Sequence, residues 1–233
     1  MSDNRYDSSE ILARQLAEAV ADQLAERIAE KGRACLAVSG GSTPKRFFEL
    51  LSEQDIKWSK VLITLVDDRW VDERNEASNA ALVKRHLLKS RAEAAYFLPL
   101  KTAAESPVDG FMECENRLHE QISRLDVAVL GMGTDGHTAS WFPYSKALDK
   151  CLNESASAWS CPVVDRSIEI PRITLTWAML SQCQRLFLHF EGAEKNAVFE
   201  QACDASESQN IAAMPVRTVL VQSQVPLSIY RTV

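Results

Sequence analysis

One segment constrains this chain more than any other: Asp126-Val-Ala-Val-Leu-Gly-Met-Gly-Thr-Asp-Gly-His-Thr-Ala-Ser-Trp-Phe-Pro143. Its short apolar run, Val127 to Leu130, reads as a strand buried on both faces. Such strands belong to sheets covered by helices, so the expected fold class is α/β, a doubly wound, mostly parallel sheet flanked by helices. Gly131, Gly133 and Gly136 follow at once, so the backbone can turn sharply and approach a ligand. Asp135 and His137 sit on that turn, one residue apart across a glycine. In sheets of this class, ligands bind at the carboxyl ends of strands. The segment therefore brings an acid, an imidazole and open backbone N–H groups to a binding edge.

Gly131-Met-Gly-Thr-Asp-Gly136 also satisfies G-x-G-x-x-G. A dinucleotide fingerprint opens a helix and is followed about 20 residues later by an acid ending the next strand. Here Pro143 interrupts any long helix, and Tyr144 to Ser160 holds no clear strand, so the dinucleotide reading is disfavoured.

Two other strand ends carry chemistry. Ala34 to Val38 is a buried strand leading into Ser39-Gly-Gly-Ser-Thr-Pro44. Thr43 is positioned to cap a helix whose first residue is Pro44. Gly40, Gly41, Ser42 and Thr43 then form either an anion cradle at a helix N-terminus or a plain strand-to-helix turn. The Walker pattern is absent, which disfavours a nucleoside triphosphate. Val61 to Val66 is the next buried strand and ends in Asp67-Asp-Arg-Trp70, with Ser78-Asn79 soon after. Charges crowded onto a strand end read as a loop at the rim of a site, where Arg69 suits an oxyanion.

The remaining elements follow from periodicity and caps. Leu12, Leu16, Val20, Leu24 and Ile28 mark a helix opened by a capping box at Asp7 and Glu10 and stopped near Gly32. Ala80 to Leu88 reads as a helix with Lys84, Arg85 and His86 on a solvated face. Ser106-Pro-Val-Asp109 is expected to open another, with Val108 and Phe111 on its buried side and His119 exposed. Trp159 to Val164 and Arg185 to Phe190 read as strands, and Ile173 to Thr176 as a strand or a helix entry. A helix runs from Glu191-Gly-Ala-Glu-Lys195 to about Cys203. Arg172 points into the site or sits outside it, and Lys195 reaches an anion or is simply exposed.

Composition excludes several classes. A net charge of −6 argues against a nucleic-acid binder, which needs clustered Lys and Arg. No apolar run is long enough to span a membrane, and the N-terminus shows no signal-peptide core. The six cysteines form no C-x-x-C and several lie in apolar runs, which suits reduced thiols in a cytoplasmic protein. The four histidines show no metal-ligand spacing, so neither a metal site nor a cofactor is expected. Without a linker or repeat, residues 1–233 read as one domain, and the sequence leaves the oligomeric state open.

Three stretches together resemble the 6-phosphogluconolactonases: Ser39–Pro44, Asp67–Arg69 with Ser78-Asn79, and Gly131–Pro143. Arg172-Ile-Thr-Leu175 and Gly192-Ala-Glu-Lys195 match weaker family stretches in the same order. The resemblance implies hydrolysis of 6-phosphoglucono-1,5-lactone to 6-phosphogluconate, in the oxidative pentose phosphate pathway. It implies His137 as general base, Arg69 as oxyanion partner, and Asp135 either holding the imidazole tautomer or only shaping the turn. The phosphate is expected on Gly40, Gly41, Ser42 and Thr43, with Arg172 and Lys195 adding charge. Asp68 joins the substrate-binding set, although the family usually has Asp-Glu-Arg where this chain has Asp67-Asp68-Arg69. The related glucosamine-6-phosphate deaminases carry a Phe-Asn-Glu-Pro type segment after the histidine, whereas this chain has Ala139-Ser-Trp-Phe-Pro143, with no acid. A non-catalytic sugar-phosphate sensor would need no histidine at position 137 and usually carries a DNA-binding segment.

Overall fold

The computed structural model describes residues 1–232. Along the chain lie β1 (Ser2–Tyr6), α1 (Ser9–Lys31), β2 (Ala34–Val38), α2 (Lys45–Ser52), β3 (Val61–Leu65), β4 (Asp67–Arg69), α3 (Asn79–His86), β5 (Tyr96–Leu98) and α4 (Phe111–Gln121). Then come β6 (Val127–Gly131), α5 (Leu148–Leu152), β7 (Ser160–Val163), β8 (Arg172–Leu175), α6 (Trp177–Leu180), β9 (Arg185–Phe190), α7 (Ala193–Ala202), α8 (Arg217–Val221) and β10 (Leu227–Thr232). Seven strands form one sheet in the order β1-β10-β9-β6-β2-β3-β5, every neighbouring pair parallel. The α/β class expected from the buried strands is the fold observed.

The strand order places the site. From β2 the chain steps outward to β3 and β5, then returns to lay β6 on the other side of β2. Loops leaving β2 and β6 therefore diverge in opposite directions and leave a crevice between them, the switch point where open α/β sheets bind ligands. β2 is buried along its whole length, and β6 is buried except at Gly131, where it opens onto that crevice. Asp126, immediately before β6, is fully buried and receives the Lys31 ammonium at 2.5 Å and the Cys35 N–H at 2.7 Å. That pairing ties the end of α1 to the start of both central strands.

Several local expectations shift. The cap of α1 is Ser8, whose hydroxyl accepts the Ile11 N–H, rather than the Asp7 box, while Gly32 ends the helix as expected. Thr43 does not cap α2: the helix starts at Lys45 behind Pro44 and carries no side-chain cap. The Ser106–Asp109 segment forms a separate turn, closed by the Asp109 N–H on the Ser106 hydroxyl, and α4 begins only at Phe111. Val108, expected inside, is 60% exposed because it lies on that turn. β1 carries no apolar pattern, because an edge strand pairs through its main chain; Asp3 adds an ion pair to Arg231 of β10.

The largest difference is a second sheet. Asp67–Arg69, expected as a loop, is strand β4 of a three-stranded antiparallel sheet ordered β4-β8-β7. The segment after the glycine loop packs beside it. Trp141 is fully buried with its indole N–H donated to the Leu175 carbonyl, and the Ser140 N–H is donated to the Thr174 hydroxyl. This small sheet carries Arg69 to the crevice and gives the Gly131–Pro143 segment a floor.

Candidate active site

The loops after β2, β3 and β6 meet as the sheet reading requires. Thr43, Arg69 and His137 line one cleft, together with Gly40, Gly41, Ser42, Gly131, Gly133 and Lys195. The space inside is about 210 Å³. That is below the roughly 300–1,000 Å³ of clefts for drug-sized ligands and suits one sugar ring better than a dinucleotide.

His137 is held from three sides. Its Nδ1 lies 2.5 Å from Asp135 Oδ1, the same oxygen that accepts the His137 backbone N–H at 3.1 Å. The Phe142 ring packs against the imidazole with centroids 4.8 Å apart. Below it lies Gly133, whose N–H is donated to the His137 carbonyl. A Cβ on Gly133 would stand 2.2 Å from the imidazole, so only glycine leaves room for the ring. Burial alone would raise the Asp135 carboxyl, but the hydrogen bond and charge of His137 outweigh it and hold it below the usual carboxylate range. An ionised Asp135 on Nδ1 makes that nitrogen the N–H and leaves Nε2 as the basic one. The assignment of Asp135 to the tautomer rather than to the turn alone thus has a geometric basis, although its oxygen also closes the turn.

Arg69 is half-buried at the end of β4, with one guanidinium nitrogen donating to the Ala77 carbonyl at 2.7 Å. Its register partner on β8 is Arg172. Burial, then the neighbouring Arg69 charge, lowers the Arg172 pKa, and Arg172 Nη1 is buried without a protein partner. Arg172 therefore stands beside Arg69, although it does not line the cleft itself. Lys195, in the first turn of α7, does line it, and its Nζ reaches the Thr43 hydroxyl at 3.3 Å.

Asp68, like Arg172, is an expected binding residue that does not line the cleft, and the fold turns it away. Its carboxylate is 1% exposed and accepts the N–H groups of Arg69, Asn79 and Ala80 at 2.8, 2.7 and 3.3 Å. It caps the start of α3 and does not line the cleft. Burial pushes its pKa up to about 7, against the pull of those donors. Removing the carboxylate leaves buried donors unsatisfied, so Asp68→Ala should destabilise the fold by about 1–3 kcal/mol. Chemical denaturation measures that loss, and the KM for substrate should stay unchanged. A raised KM at unaltered stability would return Asp68 to the cleft.

Among the cleft-lining residues absent from the sequence-based set are Asp67, Asn79 and His189. Asp67 accepts the Ser140 hydroxyl at 2.6 Å, and Asn79 donates to the Asp67 carbonyl at 2.9 Å. Asn79 also packs against the cradle, since a Cβ on Gly40 would fall 1.9 Å from its Oδ1. His189, one residue before the end of β9, is in register with Gly131, a position that strand order could have flagged. Among the described residues no cluster of His, Cys, Asp and Glu is placed to hold a metal ion. Nor does any helix among them have the length and apolarity to cross a membrane.

Comparison with known proteins finds relatives over nearly the whole chain. The family model described as glucosamine-6-phosphate isomerases/6-phosphogluconolactonase matches residues 7–227. A 6-phosphogluconolactonase of Rhizobium meliloti (strain 1021) is 43% identical over 225 residues, 97% of this chain and 96% of the relative. One from Pseudomonas aeruginosa is 39% identical, covering 94% of this chain and 89% of the relative. Among solved structures, a 6-phosphogluconolactonase from Shewanella baltica OS155 superposes with a TM-score of 0.95 at 38% identity, covering 100% of this chain and 98% of the other.

Proposed function

The chain belongs to the glucosamine-6-phosphate isomerase/6-phosphogluconolactonase family, and on that premise we propose that it hydrolyses 6-phospho-D-glucono-1,5-lactone to 6-phospho-D-gluconate, a reaction of the oxidative pentose phosphate pathway. The observation that carries the reading is the convergence of Thr43, Arg69 and His137, from the segments that follow β2, β3 and β6, on one cleft at the switch point. The whole chain acts as one domain around a continuous core. It works in the cytoplasm, where buried free thiols such as Cys35, Cys114 and Cys183 stay reduced.

The chemistry follows from the site. His137 Nε2 takes a proton from water, while Asp135 on Nδ1 stabilises the imidazolium that forms. The water oxygen bonds to the lactone carbonyl carbon, and the charge that develops on the carbonyl oxygen falls to the Arg69 guanidinium. The carbon–ring-oxygen bond then breaks, and His137 returns its proton to the ring oxygen, leaving a free hydroxyl and a carboxylic acid that releases water's second proton to solvent to become the carboxylate. Cleavage uses neither a side-chain nucleophile nor a redox step. The phosphate rests on Gly40–Thr43 and the first turn of α2, whose N–H groups no side chain caps. Lys195 adds charge directly, and Arg172 adds it from behind Arg69. The deaminase alternative loses ground here: Phe142 stands immediately before Pro143, where those enzymes carry their acid, and its ring packs against the His137 imidazole.

The decisive assay follows hydrolysis of freshly made phosphorylated lactone with spontaneous hydrolysis subtracted. Absence of enzyme-dependent hydrolysis would sink the reading. The phosphate assignment has its own test in Thr43→Val with Lys195→Ala, which should raise KM by roughly 10–100-fold and leave kcat little changed, as lost ground-state contacts do. Burial lowers the Lys195 pKa, so its charge is lost at lower pH than that of an exposed lysine, and wild-type KM should climb on the alkaline side. Equal use of the unphosphorylated lactone would show that the cradle is misassigned.

A further inference from the structure

Behind the catalytic turn stands a cation that the chemistry above does not use. Arg217, the first residue of α8, is 2% exposed and lines a hollow outside the cleft, together with Thr134, Asp135 and Met214. Its guanidinium donates to three main-chain carbonyls: Nε to Ala202 at 3.3 Å, Nη2 to Gln201 at 3.1 Å and Nη1 to Asn210 at 3.0 Å. Gln201 and Ala202 end α7, where the helix dipole favours a cation. Asn210 lies in the irregular segment that joins α7 to α8. A planar fork of five donors bridges such a gap, which the compact ammonium of a lysine does not span.

The segment closed in this way is the one that holds the catalytic turn. The Val216 N–H is donated to the Gly136 carbonyl at 3.0 Å, and the Tyr144 N–H, just past Pro143, to the Ala212 carbonyl at 3.1 Å. The Met214 side chain packs over Gly136 so closely that a Cβ there would fall 2.9 Å from its Cε. Gly136 itself separates Asp135 from His137 and has a φ of +80°. Both ends of the loop that carries His137 therefore lean on residues 212–216.

We propose that Arg217 is a positioning residue for the general base: by tying the end of α7 to Asn210 it fixes residues 212–216 and, through Met214 and Val216, the Gly136 turn that sets Asp135 against His137. The inference rests on His137 acting as the base, as assigned above. A buried guanidinium could instead be packing alone, stabilising α7 and α8 with no bearing on rate, and the two roles differ in which kinetic constant moves.

Arg217→Met removes the fork and leaves three carbonyls without their donor. It should lower kcat by roughly 10–100-fold, up to the cost of misplacing a reacting group by about 1 Å. KM and the dissociation constant of inorganic phosphate, measured by calorimetric titration, should stay within about twofold, because the phosphate cradle follows β2 on another side of the cleft. Arg217→Lys should regain part of the rate. Hydrogen exchange at the Val216 amide should quicken in both variants, reporting a weakened bond to Gly136. In the His137→Ala background, Arg217→Met should bring little further loss of turnover, since the group it positions is gone.

A folded Arg217→Met protein with kcat within twofold of wild type overturns the proposal and makes Arg217 a packing residue, while lactone hydrolysis stands. Equal losses of phosphate affinity and turnover overturn it as well, since they mean a loosening of the whole chain and not of the turn. A wild type without enzyme-dependent hydrolysis is a different failure, that of the proposed function, and exchange at Val216 still shows whether Arg217 holds the turn. Should Arg217→Met not fold, Met214→Ala leaves the clamp whole and removes the contact with Gly136. It must then lower kcat in the same pattern, and an unchanged kcat sinks the proposal.

Discussion

His137→Ala should cut turnover by about 10²–10⁴-fold, the usual loss for a positioned general base, while inorganic phosphate binds nearly as before. The two readouts separate because imidazole and cradle leave different strands, β6 and β2, and meet only across the cleft. The ring makes few structural bonds of its own: its backbone closes the turn with Gly133, and its side chain touches Asp135 and Phe142. Alanine should therefore leave the loop standing, which circular dichroism can check. A folded variant with near-normal turnover would exclude His137 as the base. Loss of phosphate binding along with activity would make it a brace for the loop. Asp135→Asn should fall between these limits, since an amide can still hold the ring but cannot stabilise the imidazolium.

Arg69→Ala should lower kcat by about 10²–10³-fold, the range seen when one oxyanion donor is removed. Its guanidinium is anchored at one corner by the Ala77 carbonyl, so the remaining N–H groups enter the cleft with little freedom to lose on binding. Arg69→Lys keeps the charge but loses the fork and the anchor, and should recover only part of the rate. Steady-state kinetics on the phosphorylated lactone divide the possibilities. If KM rises in Arg69→Ala while kcat holds, Arg69 belongs with Arg172 at the phosphate end, and the oxyanion must be met by loop N–H groups such as those of Gly131 and Gly133. Because Arg69 and Arg172 are register partners, Arg172→Ala should also relieve the repulsion on Arg69 and shift its effect, so the pair is best read as a double-mutant cycle.

Much of this was legible in the chain itself. Val127 to Leu130, Ala34 to Val38 and Val61 to Val66 are apolar runs with no polar face, which only a doubly covered sheet can bury. Each ends in a loop too polar or too rich in glycine to be core, and strands of a parallel sheet deliver such loops to one edge. The cleft at Thr43, Arg69 and His137 follows from those facts. The edge strand β1 was not legible, because Ser2–Tyr6 pairs through its backbone and shows no pattern. Of the second sheet, the segments that became β7 and β8 were legible as short strands, but β4, three residues long, and its pairing with β8 were not.

What the sequence determined by itself, then, was the class of fold, the strand ends that carry chemistry, and the imidazole beside its carboxylate. The choice between Asp67 and Asp68 was decided only by tertiary structure. Read as a loop, Asp67-Asp-Arg69 offers both acids equally to a ligand. Paired antiparallel to β8, it is a strand, and successive side chains of a strand point to opposite faces. Asp67 and Arg69 therefore share the face toward the cleft, and Asp68 is sent to the other, where the Asn79 and Ala80 N–H groups at the start of α3, with the Arg69 N–H, receive it. The pairing that sets this alternation comes from Arg172–Leu175, about a hundred residues further along the chain. Local sequence around the aspartates holds no trace of it, because a strand's facing is a property of the partner it bonds to.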